Sequence, residues 1–160
     1  MASSNFAAGA YAAVQGLASG WPTPRVQPAA EALGLGILPW SPLGRGLLTG
    51  KYRDGTPADS RGASAQWLGF IDGLRSATAD RVVEAVVTAA QGLGTTPLGV
   101  ALAWLHDRPC VVAPIVGART AQQLQAALDA QGVRLPPAIT TALDDVSAPH
   151  FSYPEQRREH

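Results

Sequence analysis

The run Leu38-Pro39-Trp40-Ser41-Pro42-Leu43-Gly44-Arg45-Gly46-Leu47-Leu48-Thr49-Gly50 constrains the fold of this chain more than any other stretch. Gly36 to Trp40 reads as a short buried strand, and Pro42 breaks it into a loop carrying three glycines and one arginine. Glycines let backbone amides come close to an anionic group, and an arginine beside them adds a forked donor. A strand that ends in such a loop is where α/β folds place ligands.

The flanking pattern alternates between helical and extended segments. Ala7 to about Ser19 is an alanine-rich helical stretch ended by Gly20 and Pro22. Arg25-Val26-Gln27 could form a very short strand, and Ala29 to Leu33 reads as the tail of a helix stopped by Gly34. Lys51 to Gly73 is irregular and rich in turn-forming residues. A strong helix is predicted from about Thr78 to Leu93, where Val82, Val83, Val86, Val87 and Ala90 make one apolar stripe, with Gly94 as its cap. Thr96 as N-cap and Pro97 at the first position predict a second helix, stopped by Pro109. Val111 to Val116 is a β-branched apolar run suited to a buried parallel strand. Thr120 should cap a helix to about Ala130, and Pro136-Pro137 should start a last one to about Val146. Such alternation predicts a parallel α/β arrangement with one domain over residues 1–149 and a polar tail over 150–160.

Composition excludes several classes. The chain has 160 residues, 12 basic and 12 acidic, so its formal net charge is zero and no nucleic-acid or membrane-surface footprint is present. Its single cysteine, Cys110, excludes an internal disulfide framework and suits a reducing cytoplasm. No apolar run approaches about 18 residues, and the expected location is cytoplasmic. Cys110 at the head of an apolar run reads as an inert core thiol. His106 reads as structural, and Asp144-Asp145 as a solvated face at a helix end. His150 and His160 have no partner at metal-ligand spacing, so no metal site is expected.

Three blocks, taken in order, resemble the aldo-keto reductase family. Ser4-Asn5-Phe6 resembles the family's strand-end Ser-Asn, whose polar side chains hold the nicotinamide carboxamide. Trp40 through Gly50 is similar to the segment that stacks on nicotinamide and wraps the cofactor pyrophosphate. Pro114-Ile115-Val116-Gly117-Ala118-Arg119-Thr120 resembles the last strand and loop, which bind the adenosine phosphate end. The resemblance implies a fold class: α/β, a partial TIM-type (β/α) barrel of about three to four short parallel strands with flanking helices. It corresponds to the carboxyl-terminal half of the (β/α)8 barrel, with roughly 20 residues missing after Gln27.

It also implies NADPH as cofactor. The implied contacts are Ser4, Asn5 and Gln27 at the carboxamide, Trp40 in the stacking place, Ser41, Pro42, Leu43, Gly44, Arg45 and Gly46 around the pyrophosphate, and Gly117, Ala118, Arg119 and Gln123 at the adenosine phosphate end. The family's asparagine in the last helix appears here as Ala127. The family's catalytic tyrosine, lysine, aspartate and histidine belong to the other half. Tyr11, Tyr52 and Tyr153, with Lys51, are therefore given no catalytic role.

Each of these residues also has a plainer reading. Trp40 could be a core aromatic at a strand end, Arg45 a solvated loop arginine, and Arg119 with Gln123 a helix cap. Two functions stay open. One is a protein derived from an NADPH-dependent carbonyl oxidoreductase and inactive alone. The other is a non-catalytic interaction module, or a gene fragment, that docks on a homo-oligomeric or other protein partner through exposed strand edges.

Overall fold

The computed structural model describes residues 29–64 and 74–148. The partial barrel with three to four short parallel strands, expected above, is not what these residues build. They form helices and turns, and among the described residues there is no strand. Parallel pairing is reduced to two isolated bridges, Ile37 with Val111 and Trp40 with Ile115. Proline explains much of this. Pro39 and Pro114 lie inside the two paired segments, and neither can donate an amide to a ladder. The register also slips, because three residues separate Ile37 from Trp40 while four separate Val111 from Ile115. An extra residue on one side bulges the pair and stops it from lengthening.

The helices follow their local signals closely. Residues 29–33 are helical, and Gly34 ends that turn at φ 63. Helix α1, Ala77–Leu93, begins where the Ser76 hydroxyl accepts from the Ala79 amide, and it ends at left-handed Gly94. Helix α2, Pro97–His106, starts with Thr96 accepting from the Gly99 amide and proline in its first turn. Helix α3, Ala121–Asp129, is capped by Thr120, and helix α4, Pro137–Ser147, opens on a proline. A short 3-10 turn, Ala130–Gly132, extends α3. Chain direction changes by 102° between α1 and α2. No single helix among the described residues is long and apolar enough to cross a membrane.

Two clusters form the core. The larger packs Leu47, Leu48, Tyr52 and Leu74 against the valine stripe of α1, Val100 and Leu105 of α2, and Leu143 of α4. The smaller joins Leu102, Ala127 and Ala130. Helix α2 lies between them and feeds side chains to both, which is why it is apolar around its whole circumference. Gly99 lets it sit close to its neighbours, since a Cβ there would meet Val133 Cγ2 at 3.1 Å. A polar clasp joins α2 to α4. Trp104 Nε1 donates to Asp144 Oδ1 at 2.7 Å, Arg108 Nη1 lies 2.8 Å from the same oxygen, and the guanidinium covers the Trp104 ring at 4.4 Å. Asp144 is thus an engaged acceptor that still keeps 41% of its side chain exposed, and Asp145 beside it is exposed, so the face is solvated as its sequence context suggests.

Candidate functional site

The segment expected to be a buried strand has one covered side. Ile37 and Pro39 are buried while Leu38 and Trp40 are 52% and 54% exposed, an alternation set by the extended backbone. Trp40 is therefore presented outward and is not a core aromatic. Val111 to Val116 is less covered still, with no buried residue and Val112, Ala113 and Ile115 exposed, so the expectation of a buried strand fails here too. Cys110 sits half-buried at the turn before it with φ 65, not in the core.

Beyond Trp40 the chain coils tightly. Ser41 has φ 54, and the consecutive residues Gly44, Arg45 and Gly46 have φ 54, 58 and 97. The Gly44 amide donates to the Ser41 carbonyl, and both the Gly46 and Leu48 amides donate to the Leu43 carbonyl. The Thr49 hydroxyl closes on the Gly46 carbonyl at 2.7 Å. A 3-10 turn, Gly44–Thr49, results. Its glycine amides are spent on holding the loop, contrary to the expectation that they face an anion. The cations at this loop are carried by side chains.

Lys51 supplies one that sequence reasoning left unassigned. Left-handed Gly50, at φ 75, turns the chain back so that the lysine lies along the loop. A Cβ on Gly46 would come within 2.8 Å of Lys51 Cε and 2.9 Å of its Nζ, and the ammonium stands 5.0 Å from the Tyr52 ring centroid. Lys51 is exposed and Arg45 half-buried, so two cations belong to one short loop. The readable signal was the Gly50-Lys51 pair directly after the loop, because a left-handed glycine reverses the residue that follows it. Tyr52, by contrast, is a core residue at 3% exposure, and its hydroxyl accepts from the Gly62 amide at 3.4 Å.

The second segment arrives beside the first. The Ile115 amide donates to the Pro39 carbonyl at 2.8 Å, so Trp40 and Ile115 are neighbours. Val116 and Leu43 both pack against the smaller cluster. The Arg119 amide donates to Gln123 Oε1 at 2.9 Å across the first turn of α3, and Thr120 caps the same turn. The Arg119 guanidinium reaches 60 residues back in the chain to the Asp59 carbonyl, 2.6 Å away. Ala127 is buried in the smaller cluster, so a polar side chain there would face an apolar surface. Trp40 is thus brought beside Ile115, which leads into the segment from Gly117 to Gln123, whereas Ser4, Asn5 and Gln27 lie outside the described residues.

On the other side of Leu47 lies an open cleft of about 290 Å3, lined by Tyr52, Arg53, Arg75, Asp80 and Glu84 among others. Its two arginines are engaged. Arg53 donates twice to the Glu84 carboxylate, at 2.6 and 2.7 Å, and Arg75 donates to the Tyr52 carbonyl. The hydrogen bond to Glu84, followed by that carboxylate's charge, raises the Arg53 guanidinium above its ordinary pKa. No group of three or more His, Cys, Asp or Glu residues able to hold a metal ion occurs among the described residues.

Comparison with known proteins identifies the family. Residues 11–148 match the model of the aldo/keto reductase family, and the chain belongs to it. It is 35% identical over 121 residues to an uncharacterised oxidoreductase of Bacillus subtilis, a match covering 76% of this chain and 35% of that protein. It is 35% identical over 130 residues to a probable voltage-gated potassium channel subunit beta of Arabidopsis thaliana, covering 78% and 39%. An aldo-keto reductase of Fusarium vanettenii is 34% identical over 116 residues, covering 72% and 30%. The chain thus spans about a third of the length of the curated relatives it matches.

Proposed function

We propose that this chain carries the nicotinamide-nucleotide segment of an aldo-keto reductase and, alone, binds NADPH without reducing a carbonyl. The observation that carries this reading is the Trp40–Ile115 bridge, which sets the outward tryptophan beside the residue that leads into the segment from Gly117 to Gln123. The residues fit the group. Trp40 offers an exposed aromatic face for a nicotinamide ring, and Ser41, Arg45 and Lys51 offer polar groups for a pyrophosphate. Pro42, Leu43, Gly44 and Gly46 shape the loop that presents them. Gly117 and Ala118 are exposed, with nothing within 4 Å of a Cβ on Gly117, and Arg119 and Gln123 stand at a helix N-terminus, where charge favours the phosphate of the adenosine end. By family resemblance Ser4, Asn5 and Gln27 take the carboxamide. Bound there, the nucleotide would supply a hydride.

Hydride transfer to a carbonyl also needs a proton donor within hydrogen-bond reach of the developing alkoxide. Tyr52 is buried under the loop and hydrogen-bonded to Gly62, so it has no access to such a substrate. By family resemblance the catalytic tetrad belongs to the other half of the barrel. This supports a nucleotide-binding protein that needs a further polypeptide for chemistry.

The test is fluorescence titration with NADPH beside an aldehyde turnover assay. Saturable binding is expected, weakened about tenfold by Trp40→Ala and by Lys51→Met, each a loss of about 1.4 kcal/mol. No turnover is expected. Absence of saturable binding up to about 1 mM NADPH, or measurable turnover by the chain alone, would overturn the proposal.

A further inference from the structure

We draw no further inference here: the strongest candidate, the open cleft of about 290 Å3 between Leu47 of the glycine loop and the first turns of α1, carries nothing because Arg53 is engaged by Glu84 and Arg75 by the Tyr52 carbonyl, and nothing in the structure shows what would occupy it.

Discussion

Gly50→Ala isolates the contact that docks the glycine loop on the core. Gly50 closes the 3-10 turn at φ 75, and a Cβ built on it would stand 2.9 Å from Val87 Cγ2 in α1 and 3.5 Å from Arg53 Cδ. Left-handed backbone costs a residue bearing a Cβ about 1 kcal/mol relative to glycine. The clash adds an overpacking cost of about 1–3 kcal/mol, because Val87 is buried within the α1 stripe and has little room to turn. The expected loss is about 2–4 kcal/mol, a large share of the roughly 5–15 kcal/mol that stabilises an ordinary domain. Urea unfolding followed by far-UV circular dichroism measures it.

Gly34→Ala and Gly94→Ala supply the controls. Both glycines have φ 63, and nothing lies within 4 Å of a Cβ at either, so only the backbone term of about 1 kcal/mol applies. Pairing Gly50→Ala with Val87→Ala should relieve the clash and give a coupling of about 1–2 kcal/mol in a double-mutant cycle. If Gly50→Ala costs no more than Gly34→Ala, or the coupling is zero, the close packing of loop on helix is refuted.

Two further outcomes concern the periphery. Asp144→Asn removes the charge that Arg108 and Trp104 share, and should cost about 1–2 kcal/mol; additivity with Arg108→Ala would show that the two side chains do not act together. Thr120→Ala deprives the Gln123 amide of its cap and should cost about 1 kcal/mol, read by urea unfolding, whereas Thr120→Asn should retain most of that stability.

The helices were legible because their signals are local. A cap speaks to residues three positions away, so Gly94, Thr96-Pro97, Thr120 and Pro136-Pro137 could be read directly, and the observed bounds differ by no more than about two residues. The bridged segments were not legible in the same way. Val111 to Val116 has the composition of a buried strand, but burial depends on what arrives from elsewhere in the chain, and none of its residues is buried here. The interruption of the ladder was written in Pro39 and Pro114, yet it gains force only when the two segments face each other. At the candidate site the loop was found from its wording. The use of its glycine amides and the return of Lys51 needed coordinates, because both follow from successive positive φ values. Arg119 looked like a phosphate contact or a cap. Its reach to Asp59 spans a sequence distance that no local rule covers.

Leu43 gives the loop an unusual foundation. It packs against both hydrophobic clusters, so the turn that follows it is wedged where the two halves of the core abut. Loosening either half withdraws the wedge, and the loop's shape should vanish in the first partial opening instead of surviving to global unfolding. Recognition built on this turn would then work as a sentinel for the integrity of the whole interior.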